Sequence, residues 1–126
     1  MKYLTLNLHT LDCNGFHDTL ARILGFPRRY ERNRDTTIKC LKTIADSWSM
    51  NSSVKINKDD YLIIRVQNVL QSAISVLDEM IVSIKLVNNY FAANNLKTRI
   101  LLEFENQEEI SMLSSQLQIV ARNAKK

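Results

Sequence analysis

Residues 61–105 read YLIIRVQNVLQSAISVLDEMIVSIKLVNNYFAANNLKTRILLEFE, and this stretch decides the fold. Its first six residues, YLIIRV, are apolar with a β-branched centre, the composition of a buried strand. Leu70, Ala73, Ile74, Leu77, Met80, Ile81, Ile84, Val87 and Phe91 then recur at helical spacing and predict one long helix. Its end is expected at Asn94-Asn95, because asparagine tolerates the left-handed geometry of a helix terminus. Residues 99–105, RILLEFE, form a second buried strand. Two strands joined through a helix predict parallel pairing, since a parallel pair needs a long crossover.

The same pattern extends toward the N-terminus. In residues 3–8, Leu4, Leu6 and Leu8 alternate with Tyr3, Thr5 and Asn7, the period of a half-buried strand. Asp12 or Asn14 can cap a helix carrying Phe16, Leu20, Ile23 and Leu24, with Gly25 at its C′ position and Phe26-Pro27 stopping it. Asn33 or Asp35 starts another helix, with Thr37, Ile38, Leu41, Ile44 and Ala45 on one face, fading at Ser47. The stretch SMNSS, 49–53, reads as a flexible loop. After residue 105, Asn106 and Glu109 resemble a capping box for a last helix striped by Ile110, Leu113, Leu117 and Val120. Glu108 and Glu109 lie at its start and Arg122, Lys125 and Lys126 at its end, matching the helix dipole. The expected architecture is a single α/β domain over 1–126. A small three-stranded parallel sheet covered by helices occupies 1–106, with a C-terminal helical extension over 107–126.

Composition agrees with one globular unit. The 126 residues are 45% apolar and 24% charged, with only 2 Gly and 1 Pro and so no linker. Cys13 and Cys40 supply neither a disulfide framework nor a zinc set, and reduced thiols imply a cytoplasmic protein. The opening MKYLTLNLHT alternates and has no apolar leader core. No run approaches the roughly 18 apolar residues of a membrane span.

Catalytic signals are sparse. His9 and His17 are the only histidines. Cys13 and His17 have i,i+4 spacing, but no orienting third group follows, so a half-buried thiol and a surface imidazole are expected. No phosphate-cradling glycine motif exists. Glu103 and Glu105 share a face at a strand end and could form a hydrolytic carboxylate pair, although solvated strand-end charges are the plainer reading. No catalytic residue, metal or cofactor is expected.

The charge is concentrated instead. Residues 28–42, RRYERNRDTTIKCLK, hold six cations (Arg28, Arg29, Arg32, Arg34, Lys39 and Lys42) against Glu31 and Asp35. That net +4 equals the charge of the whole chain, and the remaining residues balance at 11 against 11. Such a window can be a solvated loop, a nucleic-acid contact through phosphates, or a protein-binding patch anchored by Arg and Tyr. Tyr30 is its single aromatic, which leaves little for base stacking.

Residues 24–41, LGFPRRYERNRDTTIKCL, resemble the segment of barstar-like ribonuclease inhibitors that leads from a helix end through a Pro- and Tyr-bearing loop into the second helix. Leu24, Pro27, Tyr30, Asn33, Asp35, Cys40 and Leu41 carry the likeness, and the element order from 3 to 105 agrees with it. The resemblance implies a parallel three-stranded sheet with helices. It also implies a bacterial immunity protein that neutralises a toxin domain, a nuclease in the family's usual case, by forming a stoichiometric complex. Tyr30, Asn33 and Asp35 keep the family residue types. Arg29 replaces a second Tyr, Glu31 a Gly, Lys39 the acid that enters a basic nuclease site, and Ile38 an aromatic beside it. Reversing a central charge turns attraction into repulsion, so a different, acidic toxin surface is implied. The expected contact set is Arg28, Arg29, Tyr30, Arg32, Asn33, Arg34, Asp35, Ile38, Lys39 and Lys42. The alternative is a small RNA-binding protein using the same patch. A monomer or weak oligomer that folds without metal and does not enter membranes is expected.

Overall fold

The computed structural model describes residues 1–27, 31–46, 49, 52–57, 59–105 and 121–123. Strand β1 spans Lys2–Asn7 and is followed by helix α1, Cys13–Leu24, and helix α2, Arg34–Leu41. Strand β2, Tyr61–Gln67, helix α3, Ile74–Ala93, and strand β3, Arg99–Phe104, complete the unit read from 61–105. A short strand β4, Ala121–Asn123, closes the order. All pairings are parallel, and the sheet runs β1-β2-β3-β4. This is the α/β fold with a three-stranded parallel sheet and helices that the sequence predicts, extended by one short strand.

Register follows from the alternation. Leu4 pairs with Ile64 and Ile64 with Leu102, so one face of the sheet carries Leu4, Leu6, Leu62, Ile64, Val66, Ile100, Leu102 and Phe104. Phe16, Leu20 and Leu24 of α1, Leu41 at the end of α2, and Leu77, Met80, Ile84, Val87 and Phe91 of α3 bury against that same face. One-sided layering is what right-handed crossovers stepping each time to the next strand require. Ile63 is also fully buried, but on the face turned away from the helices.

The termini of the elements obey local chemistry. Asp12 accepts a 2.7 Å hydrogen bond from Gly15 N–H at the start of α1. Gly25 ends α1 at φ 69°, and the next N–H, that of Phe26, reaches back to Ala21 O at 2.9 Å. Asn33 caps α2, accepting from Thr36 N–H at 2.8 Å. Asn95 takes φ 61° just beyond α3, and Leu96 N–H bonds Phe91 O at 2.9 Å, as the Asn pair predicts.

Four expectations change. The long helix starts at Ile74, because Asn68 at φ 63° and the extended Ser72 break the stripe into a 3-10 turn, Val69–Gln71. Ile74 is accordingly exposed. α2 stops at Leu41, where the Thr43 hydroxyl takes the Cys40 carbonyl at 2.6 Å and the chain continues as turns. Ser52 and Ser53 are docked, with Ser53 N–H on Leu24 O at 3.0 Å. Arg122, expected at a helix end, lies in β4 opposite Glu103, where the backbone pairs with β3 edge groups that would otherwise be open. Ile110, Leu113, Leu117 and Val120, and the rest of the expected last helix over 106–120, lie outside the described residues.

Candidate functional site

The basic window meets the fold at the start of α2. Arg28, Arg29 and Tyr30 lie outside the described residues. Arg32 Nε contacts Asp18 Oδ1 of α1 at 2.8 Å, with both side chains about half exposed. The Asn33 side chain serves the helix cap. Asp35 and Lys39 are exposed on α2, whereas Ile38 is half-buried against the core. Lys42 Nζ sits 4.6 Å from the centre of the Tyr90 ring on α3.

Arg34 turns inward, toward Glu79 of α3. Its Nη2 donates to Glu79 Oε1 at 2.7 Å and its Nε to Oε2 at 3.3 Å. Glu79 Oε2 also lies 2.8 Å from His17 Nε2, and His17 Nδ1 lies 2.7 Å from Thr37 Oγ1. One chain of hydrogen bonds therefore ties α1, α2 and α3 together. The hydrogen bond from Arg34 holds the Glu79 carboxyl below its usual range, against the opposing effect of burial and with help from His17. The same contact raises Arg34 further above its already high value. An ionised carboxylate only accepts, so His17 Nε2 carries the hydrogen of the bond to Glu79.

Hydroxyl, imidazole and carboxylate in series are the parts of a nucleophile relay. Here Thr37 is 0% and His17 2% exposed, so no substrate reaches the hydroxyl. The array is a clamp between helices. The expected surface imidazole is thus a buried one, and the sequence holds the signal: His17, Leu20 and Leu24 are spaced i, i+3, i+7, on the apolar stripe itself. Glu79 and Thr37 were not legible as its partners, because the pairings cross from α1 to two other helices.

The remaining nominated groups separate. Cys13 and Cys40 are both free thiols. Cys13 is half-buried, with Sγ 3.7 Å from Ser75 O, and burial pushes the Cys40 thiol up. Glu103 is not a solvated strand-end charge. It is buried, and it accepts from Arg65 Nε at 2.9 Å. Glu105 is exposed beside it, on the rim of a depression of about 300 Å³. The strand order never reverses, so the sheet lacks the switch-point crevice in which doubly wound sheets bind small ligands. Among the described residues no three His, Cys, Asp or Glu side chains gather as a metal site, and no helix is long and apolar enough to cross a membrane.

Comparison with protein-family models and with curated protein sequences finds no match for this chain. Among the described residues the fold and the clamp define its class: an α/β protein whose helices pack on one face of a small parallel sheet, with a basic segment leading into a braced second helix.

Proposed function

We propose that the chain is a non-catalytic immunity protein that neutralises a toxin domain, a nuclease by the family resemblance, through the segment from the end of α1 into α2. The observation that carries this reading is the Thr37–His17–Glu79–Arg34 chain. It braces α2 against α1 and α3 while Arg32, Asp35 and Lys39 stay exposed. A contact surface on a pre-ordered frame loses little freedom when a partner binds. The barstar-like resemblance assigns binding to this same segment, and the parallel α/β fold is compatible with it.

The clamp also revises the roles. Arg34 and Asn33 act as positioning residues, since Arg34 Nε and Nη2 bond Glu79 and Asn33 Oδ1 caps α2. Lys39 and Asp35 become the central contacts on α2, beside Arg28, Arg29 and Tyr30 of the preceding segment. Phosphate binding would have to compete with Asp18 for Arg32 and with Glu79 for Arg34.

The test is a panel of single substitutions assayed for rescue of cells expressing a candidate toxin domain from a neighbouring gene, and for RNA binding at two salt concentrations. Lys39→Glu and Arg29→Glu are expected to weaken the complex by about 2 kcal/mol or more, as central anchors do. Lys42→Ala is expected to change little beyond the association rate. Tight wild-type RNA binding with even losses across the six cations, a steep salt dependence and no rescue would overturn the reading in favour of RNA.

A further inference from the structure

Thr5, Arg65 and Glu103 stand at one level of β1, β2 and β3, on the sheet face turned away from the helices. Arg65 Nε donates to Glu103 Oε1 at 2.9 Å, and the guanidinium lies over the Tyr3 ring, 4.6 Å from its centre. The Glu103 side chain is 5% exposed, whereas that of Arg65 is 57% exposed. An exposed arginine ordinarily samples many rotamers. This one is held on its face by an aromatic ring and along one edge by a buried carboxylate. Its Nη nitrogens have no hydrogen-bond partner among the described residues. Arg65 lines the depression of about 300 Å³, together with Thr5, Gln67 and Glu105.

We infer that Arg65 anchors a carboxylate-binding site on this face. A guanidinium fixed through Nε and its π face leaves a pre-ordered pair of Nη donors, which matches the two oxygens of a planar carboxylate. Glu103 is the positioning residue that sets the angle of the fork. Two carboxylates, Glu103 and Glu105, stand on the same rim. The site lies on the opposite side of the sheet from α2, so it is separate from the proposed toxin contact and succeeds or fails independently of it.

The experiment follows the Arg65 side-chain nitrogens by NMR in ¹⁵N-arginine-labelled protein during titration with sodium acetate. Sodium chloride at equal ionic strength is the control. The expected result is a saturable Arg65 shift with acetate and none with chloride. Arg65→Lys, which keeps the charge and loses the fork, should weaken binding by about tenfold. Arg65→Gln should abolish it. A capped tripeptide bearing one glutamate and inorganic phosphate form two further arms. Tighter saturation by the peptide than by acetate assigns the ligand to an acidic side chain of a protein. Equal or weaker saturation assigns it to a small carboxylate molecule, and either result upholds the site. Absence of a saturable shift, an equal shift with chloride, or tighter binding of phosphate than of acetate overturns it.

Discussion

Gly25 is the residue on which the entry to the candidate site turns. Its φ of 69° lets α1 end where the chain must swing toward α2. A side chain there would meet two separate costs. The left-handed conformation disfavours an L-residue by about 1–2 kcal/mol, and a Cβ would overlap the Ser53 side chain. Gly25→Ala is therefore expected to lower the unfolding free energy read from urea titration by at least that conformational amount. Gly25→Ala combined with Ser53→Gly should recover the overlap and leave the φ cost. A double variant as stable as wild type would show that the conformation contributes nothing.

Among the elements, β3 depends most on a neighbour that is not a strand. β4 pairs only with Leu102, Glu103 and Phe104. Upstream, the Asn88 side chain of α3 takes the place of a strand: its Nδ2 donates to Ile100 O at 2.9 Å and its Oδ1 accepts from Ile100 N–H at 2.8 Å. Asn88→Ala leaves both buried backbone groups unpaired, and at roughly 1–3 kcal/mol for each unmet group the helix–strand junction should be strongly destabilised. Thermal unfolding checks this. Asn88→Asp is expected to be no better, since it keeps an acceptor for the N–H but sets a carboxylate against the Ile100 carbonyl. Helix α2 is short and owes its place to contacts rather than propensity. Replacing His17 by Phe removes the link to Thr37 and Glu79 and should loosen α2. Faster amide exchange across 34–41 than across 13–24 is the expected reading.

At the scale of the molecule, the clamp makes stability depend on acid. Glu79 titrates lower when folded than its ordinary value, first because of Arg34. Such a group contributes fully above the unfolded carboxylate value of about 4.3, and its contribution disappears as pH falls through the depressed folded value. Urea midpoints should thus hold from neutral pH to about 5 and fall below it. Glu79→Gln should be less stable at neutral pH and should show a flatter acid limb. An unchanged acid limb in Glu79→Gln would place the acid sensitivity elsewhere. Arg34 stays charged throughout this range, so the slope belongs to the carboxylate.

Local chemistry written in consecutive residues determined the elements and their order. The alternation of Leu4, Leu6 and Leu8, the stripe from Leu77 to Phe91, and the caps at Asp12, Gly25, Asn33 and Asn94-Asn95 need no distant partner, so they were legible. The concentration of charge in 28–42 was equally visible. Which of those charges remain available was not. Arg34 is committed to Glu79, and His17 to a buried chain spanning three helices, because each pairing joins residues 20 to 62 positions apart that only docking brings together. Arg65 and Glu103 are likewise unremarkable in their own strands. Parallel register sets them side by side, and the burial of one and exposure of the other turns a surface arginine into an oriented one. The fourth strand has the same origin. Three residues of ordinary composition pair with β3 because an open sheet edge stands there, a condition that exists only after the sheet has formed.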